Sequence, residues 1–108
     1  MVASELKSRI ILSTYPTVDE ARSAAKEAIS KKLAACVNIV EVNSLYTWKG
    51  KLEDVNEFLA IYKTTAYEVT KLRNFIRSKH SYEVPEIITL SPSDVSKKYM
   101  KWLASSTK

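Results

Sequence analysis

Few side chains in this sequence are equipped for chemistry, and the single histidine is the natural place to begin. His80 stands in the run His80-Ser81-Tyr82-Glu83-Val84-Pro85-Glu86, beside an aromatic ring and two carboxylates. An imidazole in that company can ligate a metal ion or change charge near neutral pH. The structural alternative is a histidine at a helix end, satisfied by the last carbonyls. The one cysteine, Cys36, follows Ala34-Ala35, and a buried thiol there acts as a small hydrophobe. Nothing in the sequence brings Cys36 and His80 together as nucleophile and base. A closed zinc site needs about four ligands, so a metal here would also draw on carboxylates, water or neighbouring subunits. The only glycine, Gly50, cannot build a Gly-rich phosphate loop.

Four more residues invite a functional reading. Tyr46 and Trp48 stand near Gly50 at a predicted hairpin tip, where aromatics form a ligand wall or a protein contact. Glu57 and Lys63 sit among apolar neighbours, as a charge pair or as contacts for a charged ligand. Pro85 sets the chain direction before a last short strand.

The elements that position these residues centre on one long hairpin between Leu33 and Thr64. Both arms are rich in β-branched and aromatic residues, and Lys49-Gly50 supplies the turn. About twelve residues at roughly 3.3 Å each make an arm of about 40 Å. A compact domain of this length has a radius of gyration near ~13 Å, so such a hairpin overhangs its own globule. Val37, Ile39, Val40 and Val42 place apolar groups on both faces, as do Phe58, Leu59, Ala60 and Ile61. A strand apolar on both sides needs cover on both sides, which a second copy of the chain would provide.

In chain order, residues 1–8 read as a frayed leader and Arg9 to Tyr15 as a short buried strand stopped by Pro16. Thr17-Val18-Asp19-Glu20 matches a capping box with Glu20 reaching back, opening a helix that buries Ala21, Ala24, Ala25, Ala28 and Leu33. Thr65-Ala66-Tyr67-Glu68 is a second such box, before a helix with Val69, Leu72, Phe75 and Ile76 inward. Ile87 to Leu90 is expected to form a short buried strand. Ser91-Pro92-Ser93-Asp94 is expected to start a last helix with Val95, Tyr99, Trp102 and Leu103 inward, and Ala104 to Lys108 to fray. The order predicts an α+β fold, a ferredoxin-like split βαβ sandwich with a long central hairpin and an extra C-terminal helix.

At 108 residues the chain makes one domain, residues 1–108, with a core over about 10–103. No apolar run approaches the roughly 20 residues of a membrane span, and the N-terminus lacks a signal-peptide core. One cysteine excludes an internal disulfide. These features predict a cytoplasmic protein with no membrane partner. The net charge of +5 is scattered, which suits solubility better than nucleic-acid binding. The return arm carries Phe58 and Tyr62 but lacks the basic and aromatic pattern of an RNA-reading sheet.

The segments Leu33 to Ile39, Ser44 to Lys51, Glu57 with Ile61 to Thr64, His80 to Ile87, and Tyr99 to Trp102 together resemble the CutA family of divalent-cation tolerance proteins. The resemblance runs from about Ile10 to Leu103. It implies a ferredoxin-like fold, a tight homotrimer similar to the PII signalling proteins, and a cytoplasmic response to metal ions without enzymatic activity. It implies no obligatory cofactor, with a divalent cation such as copper as the candidate metal. The positions of proposed copper ligands in some relatives hold Ser13, Lys79 and His80 here, so one such ligand, His80, remains. The ligand site expected between subunits comprises His80, Tyr82, Glu86, Trp48 and Lys63. The competing expectation is a trimeric scaffold for partner proteins, with no metal site of its own.

Overall fold

A computed structural model describes residues 7–108, in which four strands form one antiparallel sheet ordered β2-β3-β1-β4. In chain order the elements are β1 (Ser8–Tyr15), α1 (Val18–Ser30), β2 (Cys36–Trp48), β3 (Lys51–Thr65), α2 (Val69–Lys79), β4 (Ile88–Leu90) and α3 (Lys97–Ser105). This is the expected ferredoxin-like order. Both α1 and α2 lie on the sheet face that carries Ile11, Tyr15, Ala60 and Tyr62, and Leu72, Phe75 and Ile76 complete the core there. The alanines of α1 let its backbone approach closely; Ala21 and Ala28 are wholly buried.

The hairpin dominates the shape. Strands β2 and β3 pair from Cys36↔Lys63 to Trp48↔Lys51, and Lys49 and Gly50 both take positive φ in the two-residue turn. Because β3 also pairs with β1 only from Phe58 to Thr65, the last part of the hairpin extends past the rest of the sheet. The molecule measures 48 × 26 × 21 Å, with a radius of gyration of 14.6 Å. That exceeds the ~13 Å of a compact chain this long. Along β2, Val40 and Leu45 are exposed, and Leu52 on β3 is 71% exposed.

Several local expectations are corrected. Only half of the first capping box forms: Thr17 Oγ1 accepts from the Glu20 amide at 3.1 Å, but the Glu20 carboxylate turns to Ser81 instead. The second box does not form. Thr65 is still paired with Ser8 in the β1–β3 ladder, its hydroxyl is buried, and a 3₁₀ turn over Ala66–Glu68 precedes α2. The last helix starts at Lys97 rather than near Pro92. Ser93, Asp94 and Ser96 are residue types of low helix propensity, which favours turns over helix before Lys97. Of the stripe expected on α3 only Leu103 is buried, while Tyr99 and Trp102 remain exposed. The chain end does not fray at Ala104: Thr107 is buried and the Lys108 amide donates to the Lys32 carbonyl. The leader expectation lies mostly outside the described residues, but Ser8 belongs to β1.

Candidate functional site

The loop from His80 to Glu86 wraps around the end of β1, and His80 fixes it there. The imidazole side chain is wholly buried and stacks on Tyr15, with ring centres 4.4 Å apart. Its Nε2 meets the Thr14 carbonyl at 2.8 Å, and its Nδ1 meets the Tyr82 amide at 3.1 Å. A carbonyl only accepts and an amide N–H only donates, so Nε2 carries the proton and Nδ1 accepts. The ring is therefore neutral in this arrangement. Burial holds its pKa below the usual histidine value, against an opposing pull from the Thr14 bond and from Glu20 and Glu57.

Beneath the loop the Tyr15 and Tyr62 hydroxyls meet at 2.5 Å inside the core. Burial raises the pKa of both phenols. On the outer side, Glu20 accepts from the Ser81 amide and hydroxyl at 3.1 and 2.8 Å, tying the loop to α1. Tyr82 then reaches across to β3, where its hydroxyl donates to Glu57 at 2.6 Å. Burial and the Glu57 carboxylate both raise the Tyr82 pKa. A chain of contacts thus runs from β1 through His80 and Tyr82 to the hairpin.

Between this loop and the hairpin tip lies a cleft of about 670 Å³. Tyr46 and Trp48 form one wall, Tyr82, Val84 and Glu86 the other, and Glu57 lines it with Thr14. The strand period explains the first wall: Ser44, Tyr46 and Trp48 share one face of β2, and Val42 on that face is opposite Glu57. Glu57 is only 4% exposed, and the Tyr82 hydroxyl is its one hydrogen-bond donor among the described residues. Glu86 is held above the ordinary carboxylate range, first by burial and then by the nearby Glu57 charge.

Of the five residues grouped from sequence, Trp48, Tyr82 and Glu86 line this cleft, and His80 supports it from behind. Lys63 is not brought to it within one protomer. It pairs with Cys36 at the opposite end of the hairpin from Trp48, and its ammonium lies 6.0 Å from the Tyr99 ring centre. From sequence Tyr46 reads only as a tip aromatic and Glu57 as a partner for Lys63. The two-residue spacing of Tyr46 and Trp48 was the available signal for a shared wall. Cys36 and His80 remain apart, since Lys63 sits opposite Ile10 on β1 and His80 meets Thr14.

The three positions associated with copper do not fit that ion. Ser13 is wholly buried on the helix side of β1 and offers a hydroxyl rather than a thiolate. The Lys79 ammonium pairs with Glu27 at 3.4 Å. Both nitrogens of His80 are committed to backbone groups, so it ligates a metal only by giving one up. Among the described residues, no three His, Cys, Asp or Glu side chains gather closely enough to hold a metal ion.

Comparisons with known proteins agree with the architecture. The family model described as CutA1 divalent ion tolerance protein matches residues 9–106. The "Divalent-cation tolerance protein CutA" of Thermus thermophilus is 37% identical over 99 residues, covering 91% of this chain and 96% of that one. A "Protein CutA homolog" of Xenopus laevis is 41% identical over 91 residues, and the match spans 60% of its length. Among solved structures, CutA1 from Oryza sativa superposes with a TM-score of 0.92 at 36% identity, covering 98% of each chain. CutA from Archaeoglobus fulgidus, described as periplasmic, gives 0.90 at 34% identity, covering 94% of this chain and 99% of that one. The chain belongs to the CutA family of divalent-cation tolerance proteins.

Proposed function

We propose that this protein is a non-enzymatic, cytoplasmic homotrimer of the CutA type, and that it binds a small positively charged ligand or a divalent cation in the cleft between the 80–86 loop and the hairpin tip. The observation that carries this reading is convergence. Trp48 from β2, Glu57 from β3, and Tyr82 and Glu86 from the loop meet at one concave site, although they are far apart in sequence. A concave site lined by aromatic rings with a few placed polar groups is the usual form of a small-ligand pocket. The names of its relatives, divalent-cation tolerance proteins, fit a positively charged ligand. His80 acts as the residue that positions the loop, and copper binding through its imidazole forms no part of the mechanism.

The trimer is supported by the open outer edge of β2, an edge strand that exposes Val40 and Leu45. In such an assembly the hairpin tip, where the cleft lies, adjoins a neighbouring subunit. No helix of the described residues is long and apolar enough to cross a membrane.

A ligand that prefers the native state must raise the melting temperature. Melting the protein against a panel of divalent cations and small organic cations tests the cleft directly. At least one panel member is expected to raise the melting temperature of the wild type and to lose most of that effect in Glu86→Gln. If every member leaves both proteins unmoved, the cleft reading falls and a bare scaffold remains.

A further inference from the structure

The lining of the cleft says which kind of cation it suits. Among the described residues of one protomer its acidic groups are Glu57, Glu83 and Glu86, and no Lys, Arg or His side chain lines it, in a chain whose net charge is +5. Glu57 is the most informative of the three. It is 4% exposed, takes a single hydrogen bond, and none of the ion pairs among the described residues includes it. A carboxylate desolvated to that degree without a cationic partner is costly, and a bound positive charge would offset the cost.

The walls then separate a metal ion from an organic cation. A hydrated divalent ion asks for several oxygen ligands at roughly 2.0–2.6 Å. The carboxylates here do not converge into such a cage. The rest of the lining sets the aromatic residues Tyr46, Trp48 and Tyr82 among hydroxyl and aliphatic side chains, and those rings offer surface that an ammonium on an apolar body can use through cation–π contact. One instance is already present, since the Lys49 ammonium lies 5.8 Å from the Trp48 ring centre. The volume of about 670 Å³ also falls in the small-molecule range of roughly 300–1,000 Å³.

We propose that the cleft is a site for an organic ammonium ion, with Glu57 and Glu86 facing the charge and the rings of Tyr46, Trp48 and Tyr82 enclosing its apolar part. This rests on the cleft reading above and narrows it to one ligand class. The test uses choline, its neutral isostere 3,3-dimethylbutan-1-ol, and magnesium ion as three separate titrants. The chain has two tryptophans, so Trp102→Phe leaves Trp48 as the only indole reporter in the full-length protein.

Choline is expected to change Trp48 fluorescence saturably, with the neutral isostere at least tenfold weaker. Glu86→Gln should weaken choline at least tenfold, and Tyr46→Leu should weaken it without altering the far-ultraviolet circular dichroism. Equal binding of choline and its isostere would overturn the ammonium assignment while keeping the cleft as an apolar site. Magnesium alone perturbing Trp48 would also overturn it, in favour of a metal. No response to any of the three would overturn the assignment, while the cleft reading beneath it stands or falls by the wider cation panel. A choline response retained in full by both variants would place the ion elsewhere and sink the proposal.

Discussion

His80 sits between a carbonyl that can only accept and an amide that can only donate, and those partners admit one protonation state. Adding a proton to Nδ1 would cost the bond from the Tyr82 amide, leaving the Glu20 carboxylate, whose Oε2 lies 3.8 Å from that nitrogen, as an alternative partner. The pKa direction agrees, because burial lowers it in the native state. Between the native value and the unfolded value near 6.5, the unfolded chain binds more protons. Stability from His80 is therefore complete above about pH 6.5 and is lost as the pH falls below it. Denaturant melts at stepped pH should show this decline in the wild type and a flatter profile in His80→Gln. At pH 8 the same variant should be less stable by about 1 kcal/mol, since it leaves at least one of two half-buried backbone groups unpartnered. A His80→Gln profile as steep as the wild type would assign the acid loss to the carboxylates instead.

The hairpin turn shows how an element can be read from few residues and still be improvable. Two residues with positive φ, Lys49 at 52° and Gly50 at 79°, join strands with a right-handed twist. Glycine takes that region freely, and a Cβ at Gly50 would meet nothing within 4 Å. Gly50→Ala is thus a pure backbone test, expected to cost about 1 kcal/mol. Lysine is a poorer choice for its position than asparagine, so Lys49→Asn should stabilise by a few tenths of a kcal/mol. Paired thermal melts would measure both, and a neutral Gly50→Ala would mean that the turn relaxes to another type. The hairpin, β1, α1 and α2 were legible because period and turn chemistry agree there. The Thr65 cap was not, because a tertiary ladder to Ser8 holds that residue in β3. Nor could sequence tell that Glu20 serves Ser81, 61 residues away, rather than its own helix end. The site was half legible: motif positions gave Trp48, Tyr82 and Glu86, but only register shows Lys63 at the far end and Glu57 in the cleft.

At the scale of the whole molecule the unresolved balance is between the length of β2 and the cover available for it. Its 13 residues form one edge of the sheet, hydrogen-bonded among the described residues to β3 alone. Val40 is 47% and Leu45 61% exposed, and the other edge, β4, exposes Ile88 and Leu90. A long edge with apolar side chains is a template for pairing with another chain, so an isolated protomer would be prone to aggregate. Closed assembly removes the liability when each subunit offers the same surfaces, and threefold closure is what the family resemblance implies. Sedimentation of dilute protein should therefore give a species near three times 12.2 kDa. The variant Val40→Lys places a charge on the β2 edge, away from the residues that line the cleft. It should shift the distribution toward the protomer and lower the melting temperature, because assembly stabilises the fold by mass action. A monomeric wild type would refute the assembly, and the cleft would then have to act within one chain. An unaffected trimer in the variant would show instead that the contacts run through β4 and the loop at Val84, which is 68% exposed, rather than through β2.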